Sequence, residues 1–356
     1  MSKSILIHEN GGPEKMQLAD VNVGDPGPGQ VKVRHTAIGL NFIDIYTRSG
    51  LYQTPMPNAV GREAAGVITA VGPKVKGFKK GDRVAYCGVL GAYCQERLMG
   101  TDQLVHVPKG VKDDEAAAIM LKGMTTEYLV DRCAEPWLKK GDIVLFHAAA
   151  GGVGLLFGQW AKARGYKVIG TVSSPEKAEL ARKNGYKWVI DYTKEDIAAR
   201  VKEITKGKGV PVVFDGVGKD TWDASLNCLS PRGLMVSFGN ASGAVPPQQL
   251  GVLNTKGSLY VTRPSLGAYN ANRKELEESA KTLFKMVKNR KVRIAIDQRY
   301  PLAEAAQAHR DLEGRKTTGQ TELIPRFDGD CRTDRLHRHG QVDRSKDAAA
   351  DGRARV

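Results

Sequence analysis

His147-Ala-Ala-Ala-Gly-Gly-Val-Gly154 follows the apolar run Ile143-Val-Leu-Phe146 and opens a helical pattern from Leu155 to Arg164. The order is strand, small-residue turn, helix. Ala148, Gly151 and Gly154 stand at the spacing of a dinucleotide fingerprint. The first small residue permits the tight turn, Gly151 with Gly152 lets backbone approach a pyrophosphate, and Gly154 lets helix pack on strand. Amides at the start of that helix would face the phosphates. A glycine turn alone equally suits a close helix–strand crossing without ligand; the flanking strand and helix favour the nucleotide reading.

The second strand, Lys167 to Val172, ends where an NAD-binding chain usually places Asp or Glu on the ribose 2′-hydroxyl, roughly 20 residues past the turn. Ser173 and Ser174 stand there instead. Pro175 suits a first helical position with Ser174 as N-cap, so Glu176 falls in the first turn, where an acid complements the helix dipole. Lys177 comes next and supplies the positive charge that a 2′-phosphate wants, as does Arg315 if the fold returns it there. The expected cofactor is NADPH rather than NADH.

Outward from this turn, strands near Ile143, Lys167, Trp188, Val212, Leu234 and Leu259 alternate with helices near Leu155, Pro175, Ile197 and Trp222. That alternation predicts a doubly wound parallel sheet. From residue 1 to about 120, short alternating runs such as Val31 to Ile38, Ala65 to Val71 and Arg83 to Tyr86 are separated by Gly and Pro, the pattern of an antiparallel barrel. Glu115 to Val130, Lys274 to Lys288 and Leu302 to Glu313 read as helices, and Thr321 to Ile324 as a closing strand. The expected class is α/β, divided into a barrel domain over 1–121, the nucleotide domain over 122–263, a return to the barrel over 264–325 and a tail over 326–356. The tail holds eight Lys and Arg against six Asp and almost no aliphatic residue after Leu336, which predicts disorder.

The 356 residues and 41% hydrophobic content suit a two-domain soluble protein. Lys and Arg outnumber Asp and Glu by 54 to 39, but the excess is dispersed, which favours a solvated surface over a nucleic-acid patch. Five cysteines, Cys87, Cys94, Cys133, Cys228 and Cys331, are an odd number without paired spacing, the usage of a reducing cytoplasm. The start, Met1-Ser-Lys-Ser-Ile-Leu-Ile-His8, has too short an apolar run for a signal peptide, and no run of 18 apolar residues predicts membrane insertion.

The chain resembles the zinc-free quinone oxidoreductases of the medium-chain dehydrogenase/reductase superfamily, the NADPH:quinone reductase or zeta-crystallin-like branch. The resemblance spans roughly Ile5 to Pro325 and rests on Gly11-Gly-Pro13, Ala37-Ile-Gly-Leu-Asn-Phe-Ile-Asp44, Arg48-Ser-Gly-Leu-Tyr52, Leu145 to Gly154, Gly170-Thr-Val-Ser-Ser-Pro-Glu-Lys177, Val236-Ser-Phe-Gly-Asn240 and Lys256-Gly-Ser-Leu-Tyr-Val-Thr-Arg-Pro264. It implies a GroES-like barrel, a Rossmann domain, a cleft between them and a homodimer paired through the last Rossmann strands. It also implies that Asn41, Asp44 and Tyr46 line the nicotinamide end, that Tyr128, Gly152 and Val153 contact the middle of the cofactor, and that Ser173, Lys177, Tyr192 and Arg315 hold its adenosine phosphate. Val217, Phe238, Asn240 and Arg263 are further implied cleft positions. Gly216, where relatives often have Ser, and Arg62, where a small residue is common, depart from the pattern; Arg62 bears on substrate access.

A zinc alcohol dehydrogenase would need Cys near position 41, His beside Glu63 and usually a lobe of four cysteines; this chain has Asn41, Arg62 and no such lobe. The site therefore suits a conjugated carbonyl such as a quinone, with NADPH supplying hydride and the protein supplying position and electrostatics. Asn41 has two readings, a partner for the cofactor ribose or acceptor oxygen and a capping residue. Tyr46 is either a donor to a developing oxyanion or a packed ring, and Asp44 either orients Tyr46 or caps a turn. His147, at a strand end, reads as hydrogen-bonded structure, and Cys87 and Cys94 as small core residues. The rivals are an enoyl or alkenal reductase on the same scaffold and a crystallin-like or RNA-binding non-enzyme. The sequence lacks an RRM-type aromatic strand, a KH clamp or a basic-aromatic stripe.

Overall fold

The computed structural model describes residues 1–327. Its nucleotide-domain sheet has six strands, Ile143–Phe146, Lys167–Val172, Tyr186–Asp191, Val210–Asp215, Leu229–Ser237 and Tyr260–Thr262. Every pairing within it is parallel. Across the sheet the order runs from the third strand through the second to the first, then the fourth, fifth and sixth. The first and fourth strands are thus neighbours, and connections leave them on opposite sides of the sheet. A crevice at the carboxyl ends of such strands is the ligand position of doubly wound sheets. Helices Gly152–Arg164 and Pro175–Lys183 lie on one side of the connectivity and Ile197–Ile204 and Trp222–Cys228 on the other. One face of the sheet buries Val144, Phe146, Phe214 and Trp160, the other Leu145, Ile169, Val213 and Trp222. Strands covered on both faces explain the near-continuous apolar runs read in the sequence.

The barrel domain is mostly antiparallel. Gln30–Gly39 is its central strand, pairing with Glu63–Val71, Glu96–Gly100 and Gln320–Ile324. Glu63–Val71 continues to Arg83–Cys87 and then Val105–His106. A smaller sheet of Gln17–Val21, Ser2–Ile7 and Asn58–Ala59 joins through a bridge between Ser4 and Cys94. Ile5, Ile7, Val33, Ile68, Tyr86 and Leu323 fill the interior. The chain re-enters this domain late, because Ile296–Pro301 pairs in parallel with Gln320–Ile324 at the sheet's edge. Ile296–Pro301 was not expected; its sequence, Ile-Asp-Gln-Arg-Tyr-Pro, has one aliphatic residue and ends on proline, so neither alternation nor an apolar run marks it.

The helix Phe42–Ser49 was also unread. Its start is fixed by the Asp44 carboxylate, which accepts from the Asn41 N–H at 2.9 Å, and its end by Gly50 at φ 86°. An Asn followed three positions later by an acid is a helix-start signature that outweighs the β-branched residues around it. The long helix Asp113–Tyr128 packs against the barrel strands and Gly152–Arg164, and continues as a π-helical turn over Leu129–Cys133. Cys87, Cys94, Cys133 and Cys228 are free and buried, in keeping with small core residues. No helix of the described residues is long and apolar enough to cross a membrane. The expectations for the tail and for Cys331 lie outside the described residues, apart from Arg326 and Phe327.

Candidate active site

Barrel and nucleotide-domain residues together line one cavity of about 1310 Å³. The fingerprint turn forms part of its wall. The helix begins at Gly152, and its first backbone bond runs from Leu155 N–H to Gly151 O at 2.9 Å. The amides of Gly152, Val153 and Gly154 therefore have no partner within the helix, and no acidic residue occupies the first turn. The segment presents an anion-binding helix end. Gly154 must lack a side chain, since a Cβ there would come within 2.5 Å of the Ala148 carbonyl oxygen, whereas one at Gly152 would press within 2.8 Å of the outer methylenes of Lys122, which would have to shift. Ala148 itself sits at φ 57°, tolerable for so small a residue at a cost of about 1–2 kcal/mol.

Beyond the second strand, Ser173, Lys177, Tyr192 and Arg315 all line the cavity. Ser174 caps the helix as expected, accepting from Lys177 N–H at 3.3 Å. The Lys177 ammonium donates to Ser173 Oγ at 3.5 Å and to the Arg315 carbonyl at 3.2 Å. The fold does return Arg315 to this place, from the turn after Ala305–Glu313, with its backbone at φ 57°. Burial, and then the Arg315 charge, hold the Lys177 pKa below the ordinary lysine value. Two cations and a hydroxyl gathered beside a nucleotide turn fit a phosphate monoester on the ribose.

A second group comes from the barrel. Asn41 is buried, and its amide Nδ2 donates to Glu63 Oε2 at 2.7 Å, while its Oδ1 has no hydrogen-bond partner. A carboxylate oxygen accepts only, so Glu63 fixes the orientation of the amide and leaves Oδ1 as its uncommitted, buried acceptor at the N-cap of Phe42–Ser49. Glu63 also accepts from Leu121 N–H at 2.6 Å and lies 3.9 Å from the Lys122 ammonium. Burial raises the Glu63 carboxyl above its ordinary pKa against the opposing pull of Lys122, and burial lowers Lys122. Lys122 in turn donates to the Leu40 carbonyl at 2.9 Å.

Tyr46 lines the cavity, and its hydroxyl accepts from Asn240 N–H at 3.1 Å. The phenolic proton is left to donate elsewhere. Burial raises its pKa to about 12, so the ring is a neutral donor near pH 7. Tyr52 stands edge-on to Tyr46 at 5.3 Å and accepts from the Asn240 amide at 3.4 Å. Asn240 thus acts behind the two tyrosines and is absent from the cavity wall, whereas Tyr128, Val217, Phe238 and Arg263 are on it. Arg263 donates to the carbonyls of Ser237 and Gly239.

Asp44 requires a correction. The sequence places it with the nicotinamide-end residues, but it is wholly buried and off the cavity wall. Its carboxylate serves the helix start and accepts from Tyr93 hydroxyl at 3.0 Å, with no bond to Tyr46. The capping alternative is the one the fold adopts. His147 is likewise structural: its ring nitrogens meet Thr171 Oγ1 at 3.1 Å and Ser225 Oγ at 2.9 Å, and Ser225 donates to Asp215. Sequence reasoning missed Lys122, Tyr52 and Gln320. Gln320 reaches from the late barrel strand to donate to Gly152 O at 2.9 Å. Tyr52 sat inside a resembling motif without a role, and Lys122 and Gln320 carry no local signal.

The described residues contain no group of three or more His, Cys, Asp or Glu placed to hold a metal ion. Two family models match: the alcohol dehydrogenase GroES-like domain over residues 27–142 and the zinc-binding dehydrogenase over 152–291. A quinone oxidoreductase of Pseudomonas aeruginosa is 54% identical over 327 residues, 91% of this chain and all of the relative. A 2-haloacrylate reductase of a Burkholderia species is 47% identical over 91% of the chain and 99% of its own length. The crystal structure of Escherichia coli quinone oxidoreductase complexed with NADPH matches with a TM-score of 0.89 and 49% identity, over 91% of this chain and 100% of that one.

Proposed function

The chain belongs to the quinone oxidoreductases of the medium-chain dehydrogenase/reductase superfamily, and from that premise we propose that it reduces a quinone with NADPH by direct hydride transfer, without a metal. The observation that carries this is a single cavity lined by an anion-binding helix end, the Ser173, Lys177 and Arg315 cluster, and the Asn41 and Tyr46 pair. NADPH, when bound, supplies the hydride. The Gly151 to Gly154 turn holds the pyrophosphate by its amides, with Tyr128 and Val153 against the middle of the cofactor. Ser173, Lys177, Tyr192 and Arg315 hold the adenosine 2′-phosphate. Asn41 offers Oδ1 to a ribose hydroxyl, because its other end is committed to Glu63. Tyr46 donates to the acceptor oxygen as charge develops there, and Val217, Phe238 and Arg263 close the cleft around the reacting rings.

The domain division stays at 1–121 with 264–325 for the acceptor side and 122–263 for the cofactor. The proposal extends to a cytoplasmic homodimer joined through the edge strand Tyr260–Thr262, where Tyr260 is 52% and Val261 39% exposed. An enoyl or alkenal reductase is the second reading, supported by the haloacrylate-reducing relative. NADPH oxidation measured over matched quinones and alkenals separates the two. Turnover of quinones supports the first, and turnover of alkenals alone supports the second.

A further inference from the structure

Arg62 immediately precedes the barrel strand Glu63–Val71 and lines the cavity. It is thus the neighbour in sequence of the carboxylate that orients Asn41. Its guanidinium carries five N–H groups. One from each terminal nitrogen is used, by the Gly88 carbonyl at 3.3 Å and Thr47 Oγ1 at 3.5 Å. Nε is buried without a hydrogen-bond partner. Several other arginines are neutralised where they lie, Arg48 by Glu313, Arg83 by Asp113, Arg132 by Glu127 and Arg299 by Asp114, while Arg263 on the same cavity wall spends its N–H groups on the carbonyls of Ser237 and Gly239 and on Ser237 Oγ. Arg62 forms no ion pair with a carboxylate among the described residues. The nearby Asp44 feels the Arg62 charge, which pulls its carboxyl down, but burial outweighs this and raises its pKa to about 7, and its oxygens are bound by Asn41 N–H and Tyr93 hydroxyl rather than by Arg62.

A partly desolvated planar cation facing a substrate cavity, with spare N–H groups and no carboxylate in ion-pair contact among the described residues, is a site for an oxyanion. A neutral quinone leaves that charge unmatched. Lys122 adds to the positive field of the same wall, though its ammonium is bound to the Leu40 carbonyl and offset by Glu63. We propose that the preferred acceptor bears a carboxylate beside its conjugated carbonyl and that Arg62 is the residue that selects it. The inference rests on the reductase reading above and deepens it by naming the acceptor's charge.

The test compares 4-oxo-4-phenylbut-2-enoate with its methyl ester, two probes alike in shape and conjugation and different in charge. NADPH is oxidised as the carbon–carbon double bond gains one hydride and one solvent proton. The parent protein is expected to show kcat/KM about tenfold or more higher for the acid, and Arg62→Met to reduce that ratio to near one. Arg62→Lys, which keeps the charge and loses the fork, is expected to fall between, and serves if the Met variant melts abnormally. Calorimetric titration of the saturated acid, 4-oxo-4-phenylbutanoate, into protein with NADP⁺ reads the same preference without turnover. Equal ratios in parent and Arg62→Met, or no preference for the acid in the parent, would overturn the proposal. A neutral benzoquinone assayed with the parent distinguishes this from failure of the reductase reading, since that reading requires its turnover and the charge preference does not.

Discussion

Replacing Lys177 by alanine removes one of two cations from the wall that Ser173 and Arg315 share. Its present partners, a hydroxyl at 3.5 Å and a carbonyl at 3.2 Å, leave its charge without an anion among the described residues. The lowered pKa of Lys177 has the same origin, burial followed by repulsion from Arg315. A 2′-phosphate would relieve that repulsion and gain a charge-assisted bond, a contact of about 1–3 kcal/mol. Solvent reaches this side chain, so screening places the loss toward the lower end, about 1–2 kcal/mol, or roughly 5- to 30-fold in Kd. NADH has no such phosphate, and its affinity should move little. Fluorescence titration of both cofactors into parent and Lys177→Ala measures the difference. Equal affinities of the parent for NADPH and NADH, or equal weakening of both by the variant, would refute the argument.

Asn41→Ala should lower kcat/KM about tenfold or more, because it removes the presented acceptor and leaves Glu63 with one donor fewer. Tyr46→Phe should lower kcat only a few-fold, since water can deliver the proton; steady-state kinetics on one quinone checks both, and a Phe variant slower than the Ala variant would reverse the assignment. Glu322, wholly buried on the late barrel strand, has its carboxyl raised to about 8 by burial, with Arg299 at 3.3 Å opposing. Between its ordinary pKa and about 8 the folded chain holds a proton that the unfolded chain has lost, so this group makes stability fall as pH rises through that window. Glu322→Gln should therefore gain melting temperature relative to the parent between pH 5.5 and 8.5, and a constant difference across that range would count against the linkage.

What the sequence discloses follows from where its physics is local. The strand, turn and helix from Ile143 to Arg164 were legible because the apolar run, the small residues and the helical period are contiguous. Ser174 as N-cap and Lys177 behind it were legible for the same reason. Arg315 needed the fold, since 138 positions separate it from the lysine that its carbonyl meets. Gln320 and Lys122 were invisible: each acts on a partner 82 or more positions away, and neither sits in a distinctive local pattern. Asp44 was misplaced because one short stretch, Asn41 to Tyr46, mixes two tasks. Helical geometry turns Tyr46 to the cavity and leaves Asp44 capping beneath it.

On the proposed mechanism, side chains and backbone organise the hydride transfer, with no metal at the reacting carbonyl. Asn41 is a neutral amide bound to Glu63, Arg62 cannot deprotonate to coordinate a cation, and Glu63 alone is a poor zinc site. The direct measurement is NADPH-dependent quinone reduction before and after dialysis against a strong chelator, with zinc determined in the same samples. Substoichiometric zinc and unchanged kcat and KM are expected. Stoichiometric zinc, with activity lost on its removal and restored on its return, would contradict it.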